Sequence, residues 1–300
     1  MSKQTPNHFV VEIDIALAKQ MAADLQEQGF SLTLPAHTLF SAKKNGINCT
    51  LYTSGKLVVQ GKDIAPFIEF YLEPNILKKF QFSYSDLDLD LRARIGVDES
   101  GKGDFFGPLC VAAVYADEQG IRRLQELGVK DSKAIADKKI LELGRKIKKD
   151  LTHHIVKINP AKYNEIYGQF KNLNRLLGWG HATCIEKLVE TSSCRRVIID
   201  QFADESIVFN ALKRKQITLD LTQRHRAEED LVVAAASILA RQTFLEGLQK
   251  MQEEFGMVFP KGASAQTISA GKQFVRKFGK EALQNVGKLH FKTASVITEE

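Results

Sequence analysis

Residues 96–108 read GVDESGKGDFFGP, and this stretch joins two predicted strands in the longer part of the chain. The apolar run ARIGVD at 93–98 predicts a strand that ends on an acid and leads into a glycine-rich turn. The run PLCVAAVYA at 108–116 predicts the next strand, its hairpin partner. The stretch therefore places the acid pair Asp98 and Glu99 at the end of a core strand.

Strands and helices alternate along the rest of the chain. Apolar runs predict strands at 154–158, 196–200 and 217–221. Helical spacing of apolar residues predicts helices at roughly 118–150, 160–192 and 227–254. This order predicts an α/β domain with a mixed sheet and flanking helices. Acids at its strand ends lie where such sheets carry their functional sites.

The first part of the chain has a separate pattern of short elements. They are strands at 8–15, 31–35, 38–42 and within 47–61, and helices at 16–28 and from Asp63 to about Leu72, where Pro74 follows. These elements predict a compact α+β unit. The polar, acidic stretch SYSDLDLD at 83–90 is typical of a linker, so the sequence predicts two domains, 1–88 and 89–300.

The net charge of +6 is unevenly distributed between these domains. Residues 1–88 carry 8 Lys and Arg against 9 Asp and Glu, whereas residues 89–300 carry 34 against 27. A basic domain is compatible with a polyanionic partner, because neutralised phosphates release counterions. Many ordinary proteins are equally basic, so charge alone is weak support for nucleic-acid binding.

Neither a targeting segment nor a membrane span is indicated. The longest apolar run, 231–240, is far too short to cross a bilayer. The cysteines lie far apart without a CxxC pair, which indicates neither a zinc site nor a disulfide framework. They are Cys49, Cys110, Cys184 and Cys194. The sequence favours a globular protein of the reducing cytoplasm with buried thiols and no membrane partner.

The segment GVDESGKG at 96–103 allows two functional interpretations. It matches most of the GxxxxGK[ST] pattern of phosphate-binding loops, but Gly103 stands where the Mg²⁺-binding hydroxyl belongs, and two acids would lie inside the phosphate cradle. Alternatively, Asp98 and Glu99 are metal ligands, because two-metal hydrolysis of a phosphodiester requires several carboxylates at one point. The second interpretation is the stronger one.

Other acids would complete such a site. Asp200 closes the apolar strand at 196–200, and an acid at the start of the last long helix would be the fourth, which leaves Glu228, Glu229 and Asp230 as candidates. Each has a structural alternative, since helix dipoles favour acids in the first turn and Asp200 could cap a strand–loop junction. The residues alone leave the fourth position open.

Several motifs occur in the order found in type 2 ribonucleases H. They are DESGKG at 98–103 with FGPL at 106–109, DSK at 131–133, the strand acid at 200, and AAASILAR at 234–241, within a resemblance that runs from about 93 to HFK at 290–292. The resemblance implies the ribonuclease H fold. It also implies a site in which four carboxylates work with Mg²⁺ or Mn²⁺.

Three features resemble the HIII class of this family more than the HII class. They are Lys102 in the glycine loop, the run KLHFK at 288–292, and the N-terminal extension, which resembles a TATA-binding-protein-like substrate-binding domain. The resemblance assigns the catalytic, metal-binding acids to Asp98, Glu99, Asp200 and Glu228. Glu228 lies one residue nearer the AAAS motif than the family pattern implies. Glu229 therefore stays an alternative for the fourth acid, and Asp204 is a more remote one.

The implied activity is endonucleolytic hydrolysis of the RNA strand of RNA–DNA hybrids, leaving 5′-phosphate and 3′-hydroxyl ends. Gly101, Lys102 and Gly103 would contact the substrate backbone and its 2′-hydroxyl, which distinguishes RNA from DNA, and Lys133 would contact a phosphate. Ribonucleotide-containing DNA is a further expected substrate, and a monomer is expected. Two rivals are an HII-type enzyme specialised for single embedded ribonucleotides and a non-catalytic nucleic-acid-binding protein.

Overall fold

A computed structural model of the chain describes residues 7–62, 64–78, 89–130, 132 and 135–299, and the side chain of Glu205 is not described. The chain divides into two compact units, Met1–Asp90 and Leu91–Glu300. Most of the predicted linker lies outside the described residues, as do Asp63, where a helix is predicted to begin, and the predicted phosphate contact Lys133.

The first unit is built on one antiparallel sheet in the order β1-β5-β4-β3-β2. The strands are β1 (His8–Glu12), β2 (Ser31–Thr33), β3 (Thr38–Lys44), β4 (Ile47–Tyr52) and β5 (Lys56–Gln60). Helix α1 (Ala18–Glu27) buries Met21 and Leu25 against it, as the helical spacing predicts.

The helix after β5 differs from the prediction. A short α2 (Ala65–Phe67) continues as a π-helix, Ile68–Leu77, and Pro74 lies inside it rather than after it. Buried Leu72 and Ile76 on either side of the proline anchor the segment in the core, and this packing carries the helix past Pro74.

The second unit contains a mixed sheet in the order β10-β9-β6-β7-β8. The strands are β6 (Arg94–Ser100), β7 (Leu109–Ala116), β8 (His153–Ile158), β9 (Arg196–Asp200) and β10 (Asp220–Arg224). The helices are α3 (Glu118–Glu126), α4 (Asp137–Asp150), α5 (Pro160–Phe170), α6 (Leu173–Ser192), α7 (Glu205–Arg214), α8 (Leu231–Phe255), α9 (Ala265–Phe278) and α10 (Lys292–Thr298). This unit confirms the predicted mixed α/β class, and β6 and β7 form the predicted antiparallel pair.

Strand β6 lies at the centre of the sheet, and its alternating side chains separate two helical layers. Ile95 and Val97 are buried in the core that includes α6. Gly96 faces α8, where an added Cβ would lie 2.4 Å from the backbone of Val232 and Val233. Only glycine allows α8 to lie this close, and the alternation directs the next residue on that face, Asp98, toward α8.

Several predicted boundaries are wrong. The helical stretches predicted at 118–150 and 160–192 each form two helices, and two further differences concern β10 and α8. The strand predicted at 217–221 begins at Asp220, because β10 pairs with β9 from Asp220 opposite Arg196, while the apolar residues before it pack from the connecting loop. The helix predicted from residue 227 begins at Leu231, and a separate 3-10 turn, Ala227–Glu229, precedes it. Asp230 accepts hydrogen bonds from the amides of the first helical turn and thereby fixes this start.

Helix α8 is long and apolar enough to cross a membrane by length and composition alone. In the folded unit, however, 78% of its most apolar window is buried. It packs against β6 and β7, so its hydropathy corresponds to a central core helix. The predicted burial of the thiols is confirmed for Cys49, Cys110 and Cys184, whereas Cys194 is half-buried.

The C-terminal residues hold the end of the glycine-rich segment in place. Phe105 and Phe106 are fully buried in an aromatic cluster with α8 and α9. The ammonium group of Lys288 is also buried and donates to the backbone carbonyls of Asp104 and Gly107, each at 2.7 Å. The KLHFK run therefore anchors the far end of the loop that follows β6.

Candidate active site

Two acids meet where the pairing of two parallel strands ends. Val97 in β6 lies opposite Ile199 in β9, so the residues that follow them, Asp98 and Asp200, stand next to each other just beyond the last pair. They open into a cleft of about 480 Å³. The cleft is lined by Asp98, Glu99, Ser100, Gly101, Lys102, Gly103, Ser132, Asp200, Ser237 and Arg241.

Asp98 has two hydrogen-bond partners in the cleft. Its Oδ1 accepts a hydrogen bond from the Glu99 amide at 2.8 Å, and its side chain also bonds with Ser237 on α8. Burial raises the pKa of Asp98 above its ordinary value, the negative charges of Glu99 and Asp200 raise it further, and the two hydrogen bonds oppose the shift. Without a cation Asp98 therefore favours its neutral form, and a bound cation would favour the ionised carboxylate.

Glu99 points to the opposite helical layer. Its Oε2 lies 3.0 Å from Nε2 of His181 on α6, and its Oε1 lies 3.6 Å from Nζ of Lys102. The Lys102 ammonium also donates to the backbone carbonyl of Phe202 at 3.3 Å and lies 5.5 Å from the centre of the Phe202 ring. The same ring packs against His181, with ring centres 4.6 Å apart. Glu99 thus has a hydrogen-bond partner on one side and a weaker ion-pair partner on the other.

Asp200 connects the sheet with the turn before α8. Its Oδ1 accepts a hydrogen bond from the Ala227 amide at 3.1 Å. The next residue, Glu228, is half-buried but lines an adjoining recess together with Val129 and Lys130, outside the cleft lining. The structure therefore brings three of the predicted acids into one cleft and places the fourth beside it.

The other candidates for the fourth acid have different surroundings. Asp230 is buried, caps α8, and its Oδ2 lies 2.7 Å from Nε of the buried Arg94. Asp204 is exposed and caps α7 through the Ser206 amide. Glu229 is exposed. Asp230 and Asp204 thus have structural functions, and Glu228 stays the predicted fourth ligand.

The glycines of the loop are not equivalent. Gly101 has a φ of +88°, and an added Cβ would lie 2.2 Å from the carbonyl oxygen of Pro108. Gly103 does not have a positive φ, and an added Cβ there would meet no described atom within 4 Å. Gly101 is therefore required by the fold, whereas Gly103 leaves open space beside the cleft.

Sequence reasoning named the motifs of α8 and the DSK triplet without assigning functions to Ser132, Ser237 and Arg241. Ser132 and Ser237 share a hydrogen bond of 2.8 Å, and Arg241 donates to the Ser132 carbonyl and to Asp137. These contacts tie Ser132 to α8 and, through Ser237, to Asp98. The motif AAASILAR could have indicated them, because its serine and arginine interrupt an apolar helix.

His181 was also missed. It occupies a core position of α6, one turn after Leu177 and one turn before Ile185, both of which are buried. A polar residue on a core face requires a partner, and this pattern was a signal in the sequence.

The donor set fits a hard divalent cation, which prefers carboxylate oxygens. Asp98, Glu99 and Asp200 supply such oxygens at one end of the sheet, and their mutual repulsion would be relieved by a cation. Among the described residues, no three His, Cys, Asp or Glu side chains already stand in the geometry of a bound metal. Ligation would therefore require these side chains to move within the cleft.

Comparisons with known proteins find matches for both units. The family model described as ribonuclease HII matches residues 95–294, and a domain of unknown function matches residues 8–83. The ribonuclease HIII of Protochlamydia amoebophila is 60% identical over 96% of both chains, and that of Chlamydia felis is 48% identical over 97% of both.

Solved structures agree with these relatives. The crystal structure of Bst-RNase HIII in complex with Mn²⁺ superposes with a TM-score of 0.68 at 28% identity and covers 97% of each chain. Aquifex aeolicus RNase H3 matches with a TM-score of 0.58 at 27% identity, covering 95% of this chain and 100% of that one. Sequence identity over nearly the full length and the shared fold lead to one classification: the chain belongs to the ribonuclease HIII family.

Proposed function

We propose that this protein is an endonuclease that cuts the RNA strand of RNA–DNA hybrids by a two-metal-ion mechanism, leaving 5′-phosphate and 3′-hydroxyl ends. The observation that carries the proposal is the meeting of Asp98, Glu99 and Asp200 at the ends of adjacent strands, beside an open glycine loop. Family membership supports a ribonuclease of the H type. The strand-end acids supply the ligands that phosphodiester hydrolysis requires.

The chemistry that Mg²⁺ or Mn²⁺ supplies in such a site is activation of water and stabilisation of the leaving oxygen. Asp98, Glu99 and Asp200 would hold the ions, with Glu228 reaching in from the turn that is bonded to Asp200. The Mn²⁺ complex of Bst-RNase HIII supports this class of ion. Asp98 keeps its orientation through the Glu99 amide and Ser237.

Substrate would approach the loop that follows β6. The open space beside Gly103 would let a nucleic-acid backbone and its 2′-hydroxyl approach the main chain closely, and Lys102 is exposed enough to reach a phosphate. Lys133 stays a predicted phosphate contact. We further propose that ribonucleotide-containing DNA is a substrate and that the N-terminal unit binds substrate. We also propose that the protein acts as a monomer in the cytoplasm without a membrane partner.

The test is cleavage of a uniform RNA–DNA hybrid beside a DNA duplex carrying one ribonucleotide, each with Mg²⁺, with Mn²⁺ and with a chelator. We expect cuts at many positions of the hybrid that depend on the metal, and products that a ligase requiring 5′-phosphate accepts. Cleavage confined to the single ribonucleotide would instead support the HII-type alternative. Hybrid binding without turnover under any metal condition would support the non-catalytic alternative.

A further inference from the structure

A fully buried histidine contacts the site without belonging to the carboxylate set. His181 lies on α6, has no exposed surface, and is surrounded by the core that α6 forms with the sheet. A buried imidazole is costly unless its polar atoms are bonded. Its placement therefore requires an explanation in terms of its partner.

That partner is Glu99. The distance from Nε2 of His181 to Oε2 of Glu99 is 3.0 Å, and an ionised carboxylate can only accept hydrogen bonds. Nε2 must therefore carry the proton and donate to Glu99. The other ring nitrogen, Nδ1, is buried and has no hydrogen-bond partner among the described residues. Among the described residues, the imidazole therefore makes its hydrogen bond to a single carboxylate oxygen of Glu99.

The second oxygen of Glu99 has a weaker and more exposed neighbour. Nζ of Lys102 lies 3.6 Å from Oε1, beyond hydrogen-bond distance, and about a third of the Lys102 side chain is exposed. Lys102 is also the residue that would contact substrate, so it cannot hold Glu99 throughout a reaction. The His181 ring, which packs against Phe202, is the fixed support.

We propose that His181 is a positioning residue: it donates from Nε2 to Glu99 and holds this carboxylate in the orientation that binds the divalent cation. Hydrogen-bonded ligands bind metals more tightly because the orientation is fixed before the ion arrives. Removing such a support lowers metal affinity by about 10- to 100-fold in comparable sites. The inference rests on the proposed metal-dependent function.

The test compares two amide replacements in the full-length protein. The amide nitrogen in His181→Gln can occupy the position of Nε2, whereas the shorter side chain in His181→Asn ends near the position of Nδ1. His181→Leu removes the donor and keeps the bulk apolar. Cys184→Ala is a matched control, since Cys184 is buried on the same helix and bonds to the Val111 carbonyl. Mn²⁺ affinity is measured without substrate by calorimetry or electron paramagnetic resonance, and thermal unfolding is recorded for each variant.

We expect His181→Asn and His181→Leu to bind Mn²⁺ about 10- to 100-fold more weakly than the unaltered protein, while His181→Gln and Cys184→Ala stay within about threefold. The rate of hybrid cleavage by His181→Asn and His181→Leu should be closer to that of the unaltered protein at saturating Mn²⁺ than at low Mn²⁺. Equal Mn²⁺ affinities of the Gln and Asn variants would overturn the inference, even if His181→Leu failed to fold. An unaltered protein that binds no Mn²⁺ would overturn the proposed function together with it.

Discussion

The acids Asp98, Glu99 and Asp200 each place a carboxylate in the cleft. Replacing each acid with its amide removes the negative charge and keeps the shape of the side chain. We expect Asp98→Asn, Glu99→Gln and Asp200→Asn each to lower hybrid cleavage on the order of a thousandfold, because a bound metal contributes several kcal/mol to transition-state stabilisation. Hybrid binding should largely survive. Asp204→Asn is the control, since Asp204 is exposed and caps α7. Near-normal turnover in a cleft variant would remove that acid from the site.

Asp98 also predicts how stability depends on pH. Its folded-state pKa is raised, first by burial and then by the charge of Glu99. Above the ordinary Asp pKa the folded state must therefore retain a proton that the unfolded chain releases, and stability falls as pH rises toward the raised value. Without metal, we expect Asp98→Asn to melt at a higher temperature than the unaltered protein, by a margin that grows with pH. A margin independent of pH would contradict this account.

The two loop glycines allow a matched comparison. Gly101→Ala forces a side chain onto the Pro108 carbonyl at a positive φ, so we expect a loss of about 1–3 kcal/mol in unfolding free energy together with loss of cleavage. Gly103→Ala has room in the free protein and should fold normally, but a larger Gly103→Val should impair substrate binding. Melting curves and Michaelis constants for hybrid cleavage separate the effects. Unchanged binding by Gly103→Val would place the substrate backbone elsewhere.

At the junction between the 3-10 turn and α8, we expect one acid to stabilise the fold and a neighbouring acid to bind metal. Asp230→Ala removes the buried ion pair between Asp230 and Arg94 together with the helix cap, so we expect about 3–5 kcal/mol of destabilisation. Glu228→Gln should instead abolish most cleavage with little change in stability, and Glu229→Gln should change neither strongly. Denaturant unfolding and cleavage rates of the three variants test this. A larger activity loss in Glu229→Gln would shift the ligand by one residue.

The two compact units predict separable functions. We expect a fragment beginning at Leu91 to retain metal-dependent cleavage at high substrate concentration, because Asp98, Glu99, Asp200 and Glu228 lie within this unit. Its Michaelis constant for long hybrids should rise strongly. The complementary fragment should bind hybrid weakly, with an affinity that falls as salt increases. No binding by the first unit and unchanged kinetics of the second would disprove the substrate-binding assignment.

Local sequence determined most elements of the fold and three positions of the candidate site. Short continuous apolar runs predicted β6, β7 and β9, because a central strand of such a sheet is buried on both faces. Asp98, Glu99 and Asp200 followed from acids that end apolar strands. The ordered motifs indicated the family before any contact was known.

Tertiary structure decided the remaining features of the fold and of the candidate site, because they depend on contacts between residues that are distant in sequence. The π-helix passes through Pro74 because flanking side chains are buried, and β10 begins at Asp220 because β9 sets its register. The start of α8 depends on Asp230, whose partner Arg94 lies 136 residues away. His181 meets Glu99 only after α6 packs on β6, across 82 residues of chain. The spacing of residues along the chain indicates which face of a helix or strand is apolar. It does not indicate which distant group a polar side chain will contact.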